Sequence, residues 1–206
     1  MRNAAKDLQQ YVDGFESLLR QVAPAEVEKV IDLLTDAYKA GRFVFVIGNG
    51  GSGANASHIC EDLGKGTLHS TDDQKRLRII SLTDNTPYIL AYANDCGYES
   101  IFVEQLKNLA EPGALLLAIS GSGNSANVLK AVEWANAKGL RTVGITGYDG
   151  GRLRPMCHYS LHVPSFNMGV VEAAHLLIFH YILDTLRERF KTVSSEAAVH
   201  ADAGDT

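Results

Sequence analysis

Cysteine is scarce in this chain of 206 residues, and its three cysteines include no CxxC pair. That spacing argues against a disulfide framework and against a zinc site built on thiolates, and it predicts reduced thiols in the cytosol. Positive charge is not in excess either, because the formal net charge is −5. A general nucleic-acid binder normally presents a basic face, so the charge argues against that class of protein.

Long apolar stretches and common nucleotide motifs are missing as well. No apolar run approaches the roughly 18 residues of a membrane span, and the first residues, MRNAAKD, contain no hydrophobic region of a signal peptide. The sequence has no GxxxxGK(S/T) motif, and the run from Gly48 to Gly53 resembles the dinucleotide motif GxGxxG only loosely. We therefore expect a cytoplasmic protein with no membrane or nucleic-acid partner and without a P-loop.

What the chain does contain is a series of short apolar segments separated by helical patterns. Hydrophobic residues make up 46% of the chain and charged residues 21%, which is typical of a globular protein. The apolar segments predict buried strands at 43–47, 78–82, 114–119, 142–146 and 159–164. Helical spacing predicts helices at about 52–63, 99–109, 125–138 and 169–190. This alternation predicts an α/β fold with a parallel sheet that is covered on both faces.

The two ends of the chain depart from this alternation. Two amphipathic helices precede the first strand, and Pro24 fits the start of the second helix. We expect residues 1–40 to form a helical arm, packed on the main domain or on another subunit, and 41–192 to form that domain. The segment 193–206 is rich in Ala, Ser, Asp and Gly, a composition that predicts disorder.

Two loops rich in glycine and serine follow the first and third predicted strands. Glycine lets the backbone approach a ligand closely, and the helix after each loop presents free N–H groups to an anion. Serine hydroxyls add further donors, and ligands of open parallel sheets bind beyond the carboxyl ends of the strands. The loops therefore predict a phosphate site formed by Asn49, Gly50, Gly51, Ser52, Ser120, Gly121, Ser122 and Ser125.

Ionisable residues on two of the predicted helices are candidates for the chemistry. His58 and Asp62 lie one turn apart on the helix after the first loop, a spacing that suits a divalent metal or a division of acid and base roles. On the last helix, Glu172, His175 and His180 lie among apolar residues and need partners. For either of these two histidines, a hydrogen-bonded place in the core is the plain alternative to a functional role.

The span from about 40 to 190 resembles the SIS (sugar isomerase) domain. The segment 119–128, ISGSGNSANV, is similar to the serine-rich phosphate loop of that family. GNGGS at 48–52, the pair Asn94-Asp95, TGYDGG at 146–151 and the two-helix arm resemble its phosphoheptose isomerase branch. The resemblance implies a flavodoxin-like, doubly wound sheet of five parallel strands. It also implies a homotetramer with active sites lined by more than one subunit.

The resemblance further implies a set of metal ligands. Phosphoheptose isomerases carry a His-x-x-x-Glu pair on the helix after the first loop, and a Gln and a His eight residues apart on the last helix. These four side chains bind zinc and reach the substrate. The matching positions here are His58, Asp62, Glu172 and His180, so Asp replaces Glu and Glu replaces Gln. Zinc or another divalent metal, one per site, is the implied cofactor. Because Glu172 and His180 lie about 12 Å apart along an ideal helix, His175 is an alternative ligand.

The reaction implied by the resemblance is aldose–ketose isomerisation of a phosphorylated sugar through an enediolate, with sedoheptulose 7-phosphate as the family substrate. Asp62 is the predicted base and His180 the predicted acid, unless Asp62 or Glu172 is committed to the metal. The side chains predicted to hold sugar hydroxyls are Asn49, Asn94 and Asp95. Two alternatives stay open: an isomerase of another sugar phosphate, and a non-catalytic regulator that binds a sugar phosphate or the replication initiator DnaA.

Overall fold

The computed structural model describes residues 4–69 and 74–202. The chain begins with the two expected helices, α1 (Ala4–Leu19) and α2 (Pro24–Ala40). Pro24 occupies the first turn of α2, where its missing N–H costs nothing, and the helix ends at Gly41 with a φ of 65°. One face of α2 is buried in the core, and the Tyr38 ring stacks on Phe190 with centroids 3.8 Å apart. Helix α2 of the arm therefore packs on the main domain, which is one of the two arrangements expected from the sequence.

Five strands form one parallel sheet, which confirms the predicted α/β class and the number of strands. The strands are β1 (Val44–Ile47), β2 (Ile79–Ser81), β3 (Leu115–Ser120), β4 (Arg141–Thr146) and β5 (Tyr159–His162). Their order across the sheet is β2-β1-β3-β4-β5, that of a doubly wound, flavodoxin-like fold. All residues of β1 and β3 are buried, because helices cover both faces of the sheet.

Helices connect the strands and lie on both faces of the sheet. The helices after α2 are α3 (Gly50–Gly66), α4 (Thr86–Cys96), α5 (Val103–Leu109), α6 (Ala126–Ala137), α7 (Leu153–Met156) and α8 (Met168–Asp202), with a short 3₁₀ turn at Tyr98–Ser100. On one face α2, α3 and α8 cover Val44 and Val46, and on the other face α5 and α6 cover Phe45 and Ile47. This alternation follows from the period of two in a strand.

Helix α4 was absent from the sequence-based expectation. Its first turn contains Pro87, the Asn85 side chain accepts a hydrogen bond from the Tyr88 N–H at 3.2 Å, and none of its residues is fully buried. A helix without a buried stripe gives no clear 3.6-residue pattern, so only its capping residues signal it. The predicted helix 99–109 is also shorter, because its first turn is the 3₁₀ turn and α5 begins at Val103.

Helix α8 differs from expectation at its carboxyl end and in its length. The segment 193–206 was predicted to be disordered, yet α8 continues to Asp202, and residues 203–206 lie outside the described part. Extending an existing helix avoids the cost of nucleation, and this stretch contains good helix formers such as Ala and Glu. Within α8, Met168–Val193 is long and apolar enough to cross a membrane, with a mean hydropathy of 1.3. In the folded chain, however, its buried residues Phe179, Ile182 and Phe190 belong to the hydrophobic core on the face of the sheet that α2 and α3 also cover.

Candidate active site

The two predicted phosphate loops meet at one edge of the sheet. Strands β1 and β3 are neighbours in the sheet, but the chain continues from β1 to β2 on one side and from β3 to β4 on the other. The carboxyl ends of β1 and β3 therefore form the topological switch point, where folds of this kind bind their ligands. A cavity of about 260 Å³ opens there. All eight loop residues predicted to bind phosphate line it, together with Ile119, Met168 and Glu172. We call this cavity the anion cleft.

The anion cleft is suited to binding an anion because two helices begin there. Helix α3 starts at Gly50 and α6 starts at Ala126, directly after Ser125. The first N–H groups of a helix lack partners within the helix and carry a partial positive charge. The hydroxyl oxygens of Ser120 and Ser125 lie 3.3 Å apart on the same wall, so they can donate to neighbouring oxygens of one phosphate.

A third loop, 146–151, supports the phosphate loop from behind. The Gly147 N–H donates to the Gly121 carbonyl at 3.0 Å, and the Leu153 N–H donates to the Gly123 carbonyl at 2.9 Å. The two loops touch so closely that a Cβ at Gly123, whose φ is 65°, would lie 2.1 Å from the Gly150 oxygen. Glycine is therefore required at Gly123 both for the conformation and for the contact.

The first turns of α8 lie across both glycine loops. A Cβ added to Gly121 would lie 2.4 Å from the Met168 sulfur, and one added to Gly51 would lie 2.3 Å from the Glu172 carboxylate atoms. The backbone is fixed there as well, since the Asn55 amide donates to the Glu172 carbonyl at 3.0 Å. Among the described residues that line the anion cleft, Glu172 is the one with an ionisable side chain.

Asn49 lies in the wall between the anion cleft and a second cavity of about 320 Å³. Its side-chain oxygen accepts from the Asn127 amide at 2.9 Å and from the Tyr98 hydroxyl at 3.0 Å, and its amide donates to Asn127 at 2.9 Å. The Asn49 side chain is thus held in place by protein partners. The sequence did not single out either partner as a site residue, although Asn127 lies in the quoted segment 119–128; Tyr98 belongs to no motif.

Asn94 and Asp95 do not join the anion cleft. They occupy the last turn of α4, both are exposed, and the Asn94 amide donates to Asp95 at 2.8 Å. Neither residue lines either of the two cavities beside Asn49. Within one chain, the structure therefore separates this predicted hydroxyl-binding pair from the phosphate loops.

Three of the four predicted metal ligands do come together. His58 and Asp62 on α3 face His180 on α8, and the potential ligand atoms of all three lie within 4.8 Å of one another. Asp62 Oδ2 lies 3.3 Å from the Nε2 atom of each histidine, and the two Nε2 atoms are 3.4 Å apart. The imidazoles are 43% and 49% exposed, whereas Asp62 is 18% exposed. We call these three residues the metal group.

Glu172 and His175 do not belong to the metal group. Glu172 lies within regular helix, eight residues before His180, and its carboxylate faces Gly51 instead. His175, which the sequence left open as an alternative ligand, lies outside this group. Its side chain is fully buried, and its Nε2 atom lies 3.2 Å from the Thr146 carbonyl. Burial lowers the pKa of His175 to about 4, so this histidine is a neutral core residue.

The metal group and the anion cleft are separate regions of the chain. Along α3, His58 lies about 12 Å and Asp62 about 18 Å beyond Gly50, at ~1.5 Å per residue. One chain therefore carries a phosphate-type cleft at the start of α3 and a metal-type group near the other end. The residue spacing along the predicted helix already gives this separation, and the structure shows that residues 50–66 do form one helix.

A doubly wound sheet with an anion cleft at its switch point defines a class of α/β proteins that bind phosphorylated ligands. The chain belongs to the SIS domain family, whose model matches residues 10–147.

Several relatives of this chain are phosphoheptose isomerases. That of Fusobacterium nucleatum is 39% identical over 77% of this chain and 80% of its own length. That of Citrifermentans bemidjiense is 37% identical over 89% of this chain and 94% of its own. A solved structure of a phosphoheptose isomerase from Francisella tularensis superposes with a TM-score of 0.82, at 28% identity, over 91% of this chain and 100% of that one. The family recognised from the sequence motifs is thereby confirmed.

Proposed function

We propose that this chain is a phosphoheptose isomerase that interconverts sedoheptulose 7-phosphate and a heptose 7-phosphate through an enediolate. The observation that carries this proposal is the anion cleft, formed by both glycine/serine loops at the switch point. The isomerases from Fusobacterium and Citrifermentans, related over most of the chain, support the same reaction. A cytoplasmic location fits the three cysteines, all of which are free thiols.

Phosphate binding in the cleft rests on neutral donors. The beginnings of α3 and α6 and the hydroxyls of Ser52, Ser120, Ser122 and Ser125 surround the space, and none of the described lining residues is a lysine or arginine. Helix N-termini suit a phosphate dianion without a full positive charge. Binding energy from the phosphate, which does not react, would position the carbons at the other end of the substrate.

The metal group fits a divalent cation such as zinc. Asp62 Oδ2 is buried and has no hydrogen-bond partner among the described residues, and two imidazoles with one carboxylate form an established type of zinc ligand set. A cation bound by His58, Asp62 and His180 would polarise the substrate carbonyl and stabilise the enediolate oxygens. Asp62 and His180 are also the base and acid predicted from the sequence, so metal binding competes with that role.

A homotetramer with sites between subunits completes the proposal. The metal group is partly exposed and lies about 12 to 18 Å along α3 from Gly50, and in the assembly that we propose the metal group of a neighbouring chain completes the anion cleft. Two apolar surfaces support such an assembly. An apolar groove of about 590 Å³ includes Leu177 and Tyr181 of α8, and the arm exposes Leu8, Tyr11 and Val12 on α1.

The proposal is tested by an isomerase assay with purified, zinc-loaded protein. Sedoheptulose 7-phosphate and several other phosphoketoses are incubated separately, and the appearance of the aldose is followed by NMR. We expect turnover of sedoheptulose 7-phosphate, while faster turnover of another phosphoketose would identify a different substrate. Binding of sugar phosphates by calorimetry, without turnover of any of them, would contradict the enzyme and favour the non-catalytic regulator.

A further inference from the structure

We infer that Tyr98 and Asn127 are positioning residues, which hold the Asn49 side chain so that it offers the sugar chain of the ligand a hydrogen-bond donor and no acceptor. The inference rests on the proposed function for the identity of that ligand, a sugar phosphate bound in the anion cleft. It follows from the hydrogen bonds that the three side chains make with one another and with the backbone.

The orientation of the Asn127 amide is fixed by the backbone. Asn127 lies in the first turn of α6 and is 2% exposed, and its Oδ1 atom accepts the Val128 N–H at 2.9 Å. A backbone N–H can only donate, so the atom that faces it must be the amide oxygen. The other atom of this amide is therefore the nitrogen, and it donates to Asn49 Oδ1 at 2.9 Å.

The contact with Asn127 in turn fixes the orientation of the Asn49 amide. Asn49 Nδ2 donates back to Asn127 Oδ1 at 2.9 Å, so the two amides form a reciprocal pair. A reversed Asn49 amide would place oxygen against oxygen and nitrogen against nitrogen, and both hydrogen bonds would be lost. One orientation of Asn49 is therefore strongly favoured before any ligand binds.

Tyr98 occupies the remaining acceptor position of Asn49. Its hydroxyl donates to Asn49 Oδ1 at 3.0 Å. An amide oxygen has two lone pairs and an amide nitrogen has two N–H groups. Asn127 and Tyr98 together engage both lone pairs, whereas the nitrogen donates once among the described residues. What Asn49 retains for a ligand is one N–H group.

The location of Asn49 indicates which part of the ligand this N–H group meets. Asn49 lines both the anion cleft and the second cavity, and it directly precedes Gly50, where α3 begins. A sugar chain that leaves the bound phosphate toward the second cavity passes Asn49, and its oxygens can accept the N–H. Since the phosphate is on C7 and the reaction takes place at C1 and C2, the oxygens nearest the cleft do not react.

A purely structural role for Tyr98 is the alternative, because Tyr98 begins the 3₁₀ turn before α5. That turn has contacts of its own, since the Ser100 hydroxyl donates to the Cys96 carbonyl at 2.9 Å and accepts from Lys130 of α6 at 2.9 Å. Tyr98 itself is 58% exposed. Loss of its hydroxyl should therefore leave the turn in place and affect Asn49.

The test compares the wild-type protein with Tyr98→Phe by calorimetry, using two probes. One is inorganic phosphate, and the other is the heptitol 7-phosphate obtained by reducing sedoheptulose 7-phosphate, which keeps the oxygens but has no carbonyl to react. Without the hydroxyl, Asn49 is held less firmly and regains a free acceptor. We expect the Kd for heptitol 7-phosphate to rise about 3- to 10-fold and the Kd for inorganic phosphate to stay the same.

Kinetics and a control variant accompany the binding measurement. The KM for sedoheptulose 7-phosphate should rise by a similar factor while kcat stays within about twofold, because a hydrogen bond to a part of the substrate that does not react is equally strong in the ground state and the transition state. Tyr92→Phe is the matched control and should change neither value. Its hydroxyl contacts Tyr88 and Asn108, and Tyr92 lines neither cavity.

A double-mutant cycle shows whether Tyr98 acts through Asn49. Asn49→Ala removes the N–H group and should itself raise the Kd for heptitol 7-phosphate, while thermal unfolding checks that the variant is folded. In the Asn49→Ala background, Tyr98→Phe should have no further effect on that Kd, because the side chain it positions is absent.

The possible outcomes separate the inference from the proposed function. The inference is wrong if Tyr98→Phe leaves the Kd for heptitol 7-phosphate unchanged, weakens both probes alike, or has the same effect with and without the Asn49 side chain. The isomerase proposal stands in each of these cases. Absence of turnover of any phosphoketose by the wild-type protein would contradict the proposed function, while the two probes would still decide the role of Tyr98.

Discussion

Asp62 illustrates how one buried atom can indicate a missing partner. Its Oδ2 atom is buried and accepts no hydrogen bond from the described residues, although two imidazole nitrogens lie 3.3 Å away. An unpaired buried oxygen of this kind is costly, whereas a cation between the three side chains would satisfy all of them. The arrangement therefore favours a metal ligand over a free base.

Replacing Asp62 with Asn should remove the metal but leave the fold intact. The amide keeps the shape and loses the negative charge, so zinc bound after dialysis should fall from about one per chain to a small fraction of that. Elemental analysis measures the zinc, and circular dichroism checks the fold. Glu61→Gln is the control, because Glu61 precedes Asp62 but is exposed and pairs with Lys65. Full zinc content in Asp62→Asn would show that the group does not depend on this carboxylate.

His175 leads to a prediction about pH. Burial lowers its pKa to about 4 in the folded protein, against an ordinary value of 6.5. Below pH 6.5 the unfolded chain takes up a proton that the folded protein refuses, so stability decreases as the pH falls toward 4. The full effect is about 3 kcal/mol, from ~1.36 kcal/mol per pKa unit.

His175→Leu should therefore flatten the dependence of stability on pH. Urea unfolding between pH 7 and 4.5 measures the free energy of unfolding, and the variant should lose less of it than the wild-type protein over that range. His69→Gln serves as the control, since it also removes an imidazole but one that lies at the surface and not in the core. Equal slopes in the wild-type protein and His175→Leu would mean that the imidazole is protonated in the folded state.

At the level of elements, the phosphate site is a pair of loops whose shape depends on a third. The Gly147 N–H in the loop 146–151 and the Leu153 N–H at the start of α7 both hold the phosphate loop. Gly123 and Gly139 allow this support to be tested, because both have a positive φ, of 65° and 76°. A Cβ at Gly139 would meet no atom within 4 Å, whereas one at Gly123 would clash with the Gly150 oxygen.

Both Gly123→Ala and Gly139→Ala should cost about 1–2 kcal/mol of stability for the left-handed backbone. Only Gly123→Ala should also push the phosphate loop away from its support and raise the Kd for inorganic phosphate, by about tenfold or more if one good charge-assisted hydrogen bond is lost. Thermal unfolding and calorimetry give the two values. Equal phosphate affinities in the two variants would indicate that the loop keeps its shape without the close contact.

The elements differ in how far the sequence predicts them. Strands β1 and β3 were clear because burial on both faces produces unbroken apolar runs, VFVI in β1 and LLLAI in β3. Helix α4 was missed since it has no buried stripe, and α8 was placed too short because its last residues are polar although they continue a helix. The loops were found from composition. The position of the Glu172 carboxylate over Gly51 could not be predicted from the sequence, because it depends on how α8 crosses the sheet edge.

For the whole molecule, the separation of the two functional regions is the main structural constraint. The anion cleft and the metal group lie at different ends of α3, with Asp62 about 18 Å beyond Gly50. If one substrate molecule needs both, either its seven-carbon chain spans them within one subunit, or the complete site combines the cleft of one subunit with the metal group of another. Active sites confined to one chain and active sites shared between chains should then give opposite results when two defective variants are assembled together and the activity is measured.

Mixing two defective variants distinguishes these arrangements. Asp62→Asn lacks the metal and Gly123→Ala binds phosphate about tenfold more weakly, so each variant alone should have low activity at a substrate concentration well below KM. If the two are unfolded together and refolded at equal amounts, half of the clefts and half of the metal groups are intact. Random assembly then makes about a quarter of shared sites complete, as one half times one half. We expect the mixture to regain about a quarter of the wild-type activity per site.

Sites within a single chain would behave differently, because every chain in the mixture carries one of the two defects and no complete site can form. The same variants mixed as folded proteins, before subunits exchange, provide the control and should stay inactive. Disrupting the apolar groove gives a second control, since Tyr181→Arg should weaken the assembly and abolish the regained activity. A refolded mixture that forms oligomers by light scattering but regains no activity would exclude sites shared between subunits.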